Sequence, residues 1–253
     1  MQKAKELLNA LGAYALLLSD VLRDILKHGI NVREVSRQII LMGISSIPIV
    51  LLTAVFTGMV LALQTAYGLH RFGAKNYVGN LVGLALAREL GPVLTAVMVC
   101  GRVGAGIAAE IASMVVTEQV DAIRALGGDP VRRLVTPRIV AGTLSMPLLA
   151  GIAVITGILG GAVVAVFELG ITWHQYYRSY LYAVQIRDVT DGLIKSCGFG
   201  LIVASIACFK GLRCRGGTEG VGLTTTAAVV TGSLMVFISN FFFTKLLIII
   251  QFK

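Results

Sequence analysis

An all-α integral membrane protein is the fold class this chain predicts, on three observations. Of its 253 residues, 56% are hydrophobic and only 14% charged, and the mean hydropathy is +0.84, which no ordinary water-soluble domain matches. Several uncharged apolar runs exceed the roughly 18 to 20 residues that cross a bilayer. The longest polar interval, residues 113–138, is punctuated like short helices rather than a loose loop. Thr117 can cap a helix with Glu118 and Asp121 in its first turn, and Gly127 and Gly128 supply a stop. Asp129-Pro130 and then Thr136-Pro137 each supply a restart. A segment built this way and held between spans reads as a docking element for another protein.

Residues 1–38 form an interfacial lead-in. Leu7, Leu11, Tyr14, Leu18, Val21, Leu22 and Ile25 recur at helical spacing, with Lys3, Lys5, Asp20, Arg23, Asp24 and Lys27 largely elsewhere. Such a helix lies in the membrane interface with its apolar face down. Gly29 to Asn31 break it. Residues 39–253 form one five-span domain. The first span is read at 39–67, with Pro48 and Gly58 as kink sites, and a polar turn follows at 70–76. The second span, 77–101, is interrupted by Arg88, Glu89 and the Gly91-Pro92 pair near its middle. The third is read at 139–167. The polar stretch 168–191 carries Trp173, Tyr176, Tyr177, Tyr180 and Tyr182, the composition of an aromatic belt at a membrane surface. The fourth span, 192–209, holds Lys195 near its outer end. A basic loop at 210–215 and a turn rich in glycine and threonine lead to a closely packed fifth span at 221–247.

The net charge of +9 fits the basic excess of cytoplasmic loops better than nucleic-acid binding, so no nucleic-acid partner is expected. Five spans put the N-terminus, residues 113–138 and the 210–215 loop on one side. That side holds Lys3, Lys5, Arg23, Lys27, Arg33, Arg37, Arg102, Arg124, Arg132, Arg133, Arg138, Lys210, Arg213 and Arg215. The other holds Arg71, Lys75, Arg178 and Arg187, with Lys253 and Lys245 at the C-terminus. The positive-inside rule makes the first side cytoplasmic. No cleavable signal peptide is evident.

Arg88, Glu89 and Lys195 are ionisable groups at membrane depth, which line a cavity or pair with one another. Two readings stand: a polar patch on a substrate route that meets a lipid headgroup, or a structural ion pair. The glycines of Gly101-Arg-Val-Gly-Ala-Gly106 lack the βαβ context of a dinucleotide loop. Close helix packing explains them better, as it does Gly79/Gly83 and Gly157/Gly161. The four cysteines form no CxxC pair and read as small buried hydrophobes, and His28, His70 and His174 are too scattered for a metal site. There is no phosphate loop of the Gly-x-x-x-x-Gly-Lys-Ser/Thr type. An ion-coupled secondary transporter would use Glu89 or Lys195 for protons. A lipid-modifying enzyme would need a nucleophile or a metal, and none is visible.

Long motifs in one order now become informative: RELGPV at 88–93, GRVGAG at 101–106, AEI at 109–111, TEQVDAIRALG at 117–127, DPVRRLVTPR at 129–138 and GTEGVGLTTTAAVV at 217–230. In these stretches the chain resembles, over essentially its whole length, the MlaE (YrbE) family, permease subunits of MCE-associated ABC transporters of bacterial lipids. The resemblance implies an N-terminal interfacial amphipathic helix plus five transmembrane helices, with a cytoplasmic coupling helix between spans two and three. Thr117, Glu118, Gln119, Asp121, Ala122, Leu126 and Gly127 would make that coupling contact to an ATPase. Arg88, Glu89 and Lys195 would stand near a lipid pocket.

The resemblance further implies a non-catalytic homodimer on a pair of cytoplasmic ATPase subunits, under a periplasmic ring of MCE-domain proteins and with a small STAS-type accessory subunit. Such a complex moves phospholipid between inner and outer membranes; sterol or another apolar lipid is the alternative cargo. No cofactor is expected of this chain itself, ATP being bound by the partner. The expected location is the bacterial inner membrane, N-terminus cytoplasmic and C-terminus periplasmic. The basic loop at 210–215 has no counterpart role in that pattern.

Overall fold

The computed structural model describes residues 2–70 and 73–251, with the side chains of 8–70 and 73–250. Lys3, Lys5 and Leu7 near the N-terminus, Arg71 in the first turn and Lys253 lie outside the described side chains. Among the described residues every regular element is helical. In chain order they are α1 (Gln2–His28), α2 (Val32–Met42), α3 (Ile47–His70), α4 (Val78–Ala85), α5 (Gly91–Val99), α6 (Ala105–Val116), α7 (Gln119–Ala125), α8 (Thr136–Phe167), α9 (Trp173–Ala183), α10 (Ile186–Leu212) and α11 (Gly217–Gln251).

Five stretches are long and apolar enough to cross a membrane: Val32–His70, Lys75–Val116, Val131–Phe167, Ile186–Leu212 and Gly217–Ile250. Each outruns its sequence-based bounds. The second continues past 101 through α6, because the π-helical turns Leu86–Leu90 and Cys100–Gly104 carry the chain onward where a break was expected. Pro92 therefore sits in the first turn of α5 and does not end the span. Pro48 likewise stands at the second position of α3, after the 3-10 turn Ile44–Ser46, and Gly58 serves contact rather than kinking.

Small residues set the packing of α3, α8 and α10. A Cβ on Gly58 would stand 1.8 Å from the Gly157 carbonyl oxygen, and one on Gly200 would stand 2.4 Å from that of Gly142. Gly79, Gly83 and Gly161 are closed in the same way by Tyr176, Ser179 and Tyr180 of α9. Gly101 and Gly106 differ: among the described residues no neighbouring element lies within 4 Å of where their Cβ would be, and Gly104 makes only ordinary contact. The close-packing explanation therefore fails for that motif inside one chain.

The face of α1 also divides. Leu18 and Ile25 pack against the core around the buried Val21, while Leu11, Leu16, Leu22 and Leu26 are exposed. The helix thus has one face for the bundle and one for its surroundings. Gly29, at φ +72°, ends α1, and Asn31 caps α2 by accepting from the Glu34 amide. The expected boundary at 38/39 falls inside α2. The aromatic stretch folds as α9, capped by Thr172, with Tyr176 buried against the ends of α4 and α8. Cys100, Cys208 and Cys214 are buried and Cys197 half-buried, all as free thiols.

Two ends of the bundle can be told apart. At one, α1 meets residues 131–136 and the end of α10, where Tyr14 stacks edge-on against Phe209 at 5.5 Å. At the other, α9 covers α4, with Ser179 bonded to the Asn76 carbonyl oxygen at 2.9 Å.

Candidate functional site

Arg88 and Glu89 lie on the π-helical turn Leu86–Leu90 and, as sequence neighbours, point apart. They stand 13 and 14 residues beyond Lys75 in a span of 42, closer to its middle than to its α9 end. Arg88 reaches the start of α10, where its Nε and Nη2 bond Asp188 Oδ1 at 2.7 and 2.6 Å. Asp188 uses its other oxygen to accept from the Gln185 amide at 2.8 Å, which closes the capping box of α10. One buried carboxylate thus caps a span and holds an arginine.

Glu89 and Lys195 do come together, and proline chemistry explains how. Pro92 has no N–H, so the Arg88 carbonyl cannot receive the usual donor one turn on. Lys195 Nζ takes that carbonyl at 3.1 Å and the Glu89 carboxylate at 2.5 Å, and also bonds the Thr244 hydroxyl at 2.8 Å. Asn240 Nδ2 donates to the second Glu89 oxygen at 2.9 Å. Spans two, four and five are therefore joined through one polar knot. Lys195 is 4% exposed and Glu89 36%, so the knot is closed on the lysine side and open on the carboxylate side. Because α10 begins six residues earlier than expected, Lys195 lies about 13 Å along it rather than at its outer end.

Asp188, Asn240 and Thr244 were missed by the sequence reading. Their signal was present: Asn240 and Thr244 stand four residues apart, one helical turn, in an otherwise apolar run. Beside the knot, Leu90 also lines an open groove of about 380 Å³ along α3, with Phe56, Thr57, Val60, Leu61 and Gln64.

The second candidate region is residues 113–138. Thr117 does not cap α7. Its hydroxyl donates back to the Ser113 carbonyl at 2.9 Å, and it terminates α6. Glu118 stands at the N-cap instead, at φ +58°, the single non-glycine residue with positive φ among those described. A left-handed glutamate costs about 1 kcal/mol or more, and such strain collects at functional turns. Its result is a sharp reversal that presents α7 sideways. Thr117, Glu118, Gln119, Asp121, Ala122, Leu126 and Gly127 are all exposed, Leu126 at 87%, while Val120 alone is buried and anchors the helix. Gly127, at φ +76°, and Gly128 return their amides to Arg124 and Ile123, the expected stop.

Asp129 accepts from the Val131 amide at 2.8 Å, so the first restart holds. The second holds in part: α8 begins at Thr136 with Pro137 in its first turn, but the π-helical turn Val131–Val135 runs straight into it, and Thr136 turns its hydroxyl to Asp24 instead of capping. At the base, Arg138 (5% exposed) pairs with Glu110 at 2.8 Å, tying the incoming leg to the outgoing one.

Comparison with known proteins follows the same residues. A sequence model of the family Permease MlaE matches residues 35–246. A protein of Rickettsia typhi named a probable ABC transporter permease is 42% identical over 238 residues, covering 94% of this chain and 92% of its own. The intermembrane phospholipid transport system permease protein MlaE of Haemophilus influenzae is 38% identical over 212 residues, 83% and 81% of the two chains. The chloroplastic protein TRIGALACTOSYLDIACYLGLYCEROL 1 of Arabidopsis thaliana is 36% identical over 226 residues, 89% of this chain and 65% of its own.

Proposed function

This chain belongs to the MlaE permease family, and from that premise we propose that it is the membrane subunit of an ABC transporter that moves phospholipid between two membranes. The observation that carries the reading is the 113–138 segment: a strained, sideways helix whose outward surface is polar apart from Ala122, Ala125 and the one large apolar side chain, Leu126. A single exposed leucine among charges on a rigid projection fits a groove on a soluble partner. That partner is the ATPase, and α7 is the coupling helix. The positive-inside rule puts this end in the cytosol and the α9 end outside the inner membrane.

The working unit is a homodimer with two ATPase subunits, an MCE-domain ring outside and a STAS-type subunit inside. Support for the dimer comes from α11 and α3, whose Leu234, Phe237 and Phe241, and Phe56 and Val60, are exposed, Phe56 and Val60 in the groove that Leu90 lines next to Glu89. The polar knot Glu89–Lys195, with Arg88 close by, serves as the headgroup end of a lipid cavity between first and fifth spans. ATPase closure pushes α7, rocks the two copies and reshapes that cavity. Hydrolysis belongs to the partner, so this subunit is non-catalytic and needs no cofactor of its own.

Affinity purification in mild detergent, with mass spectrometry of proteins and lipids, tests the reading. An ATPase, an MCE-domain protein and bound phospholipid are the expected company; bound sterol in place of phospholipid changes the cargo. Glu118→Arg is expected to abolish ATPase capture and transport while leaving membrane insertion intact. A chain that purifies without any ATPase overturns the assignment and makes Glu89 and Lys195 an ion-coupling pair.

A further inference from the structure

Asp24 is out of place by the logic of an interfacial helix. A carboxylate on the face that packs against the bundle, 7% exposed, loses its hydration and is retained only when its oxygens are bonded. They are. Oδ2 accepts from the Thr136 hydroxyl at 2.9 Å, Oδ1 from His28 Nδ1 at 3.2 Å, and Arg132 Nε stands 3.8 Å away. Thr136 and Arg132 belong to the outgoing leg of the segment that carries α7, the leg that Arg138 ties to Glu110.

Around this contact the two parts stand apart. A cleft of about 1090 Å³ separates the turn after α1 from the 127–137 leg, lined by His28, Glu34, Asp129, Arg132 and Arg133 as well as Asp24. Among the described residues, the polar bonds that cross from α1 to that leg are those of Asp24. Ten residues earlier, about 15 Å along the helix, Tyr14 bonds the fully buried Ser205 of α10 at 2.6 Å. The helix is thus pinned by polar bonds at two points, one on the coupling segment and one on the fourth span. Apolar contact alone would let it slide along the bundle; hydrogen bonds with fixed directions do not.

We propose that α1 is a connecting rod and Asp24 its positioning residue, carrying displacement of the coupling helix to the fourth span, where Lys195 of the polar knot resides. This rests on the ABC reading, in which α7 is pushed by an ATPase. The rod explains why a buried acid is placed on a helix whose membrane affinity it can only weaken.

The test uses the full permease–ATPase complex in lipid nanodiscs and reads three quantities: ATPase subunits retained per permease, ATP turnover, and lipid transferred per ATP. Asp24→Asn keeps the size of the side chain and removes its charge; Thr136→Val removes only the hydroxyl bond. Both are expected to retain the ATPase and its turnover within about twofold, while lipid transferred per ATP falls about fivefold or more, the scale of losing a buried charge-assisted hydrogen bond. The double variant is expected to be no worse than either single one, as one shared contact requires. Thr136→Ser, which keeps the hydroxyl, is expected to restore the ratio. An unchanged ratio in Thr136→Val, or loss of assembly in both single variants, overturns the rod and leaves Asp24 a folding contact. A wild-type complex without any lipid transfer would instead defeat the transport reading, whatever the variants do.

Discussion

The fourth and fifth spans, α10 and α11, are close in hydropathy, 1.8 and 2.1 over their most apolar windows, yet 61% of the first window is buried and only 6% of the second. One is surrounded by α6, α8 and α11; the other lies along α6 and α10 and turns Leu234, Phe237, Phe241 and Phe242 outward. Hydropathy reports that a helix can leave water. It does not report whether protein or lipid receives it, because lipid chains are as apolar as leucine. The expected close packing of the fifth span therefore holds on one face only: Gly232 is closed on the Cys100 sulfur and Val236 is buried, but Gly222 meets nothing within 4 Å, whereas Gly200 of α10 is closed on the Gly142 carbonyl oxygen and the Met146 side chain.

The contrast is broken most forcefully at these two glycines. Gly200→Val is expected to cost about 3 kcal/mol, since backbone cannot yield as a side chain does. Gly222→Val is expected to stay within about 0.5 kcal/mol. Thermal unfolding in detergent checks both, and equal losses would mean that α11 is packed as tightly as α10.

The polar knot, where the two helices meet, gives a slightly smaller effect. Glu89→Gln leaves the buried Lys195 ammonium without its counter-charge and is expected to cost about 2 to 3 kcal/mol. Lys195→Met leaves Glu89, which is partly exposed and still bonded to Asn240 and Thr244, so about 1 kcal/mol is expected. The double variant should recover most of the loss, the signature of a coupled pair. A double variant as unstable as the sum of the two would show that the residues act separately.

The smallest energy and the sharpest geometry come from cross-linking in a cysteine-free background. Leu234→Cys on α11, 58% exposed, is expected to form cross-links between two copies. Val203→Cys on α10, 3% exposed, is expected to form none. Neither should move stability by more than about 1 kcal/mol. Absence of any link from α11 would assign its outward face to lipid.

Much of the function was legible in linear order. Charge-free runs set the spans, and the sequence of motifs from 88 to 230 identified the family before any coordinates. Glycine at 127 stopped α7 because only glycine tolerates that backbone without cost, a property the residue carries with it. The exposure of the polar residues from Thr117 to Gly127 also followed, since a short polar helix between apolar spans has nowhere else to go. These are local causes, and the sequence by itself determined them.

Tertiary structure decided the rest, for a common reason: each depended on which distant group was available. Arg88 could have paired with its neighbour Glu89, but adjacent helical residues diverge, and Asp188, 100 residues away, accepted it. Lys195 found a carbonyl that Pro92 had left without its donor. Thr117 looked like a cap and became a terminus, because Glu118 took the strained position. Gly101 and Gly106 kept an open face that no segment among the described residues fills. Asp24 read as one more charge on an amphipathic helix; only the fold brought Thr136 against it and turned a surface residue into a buried joint.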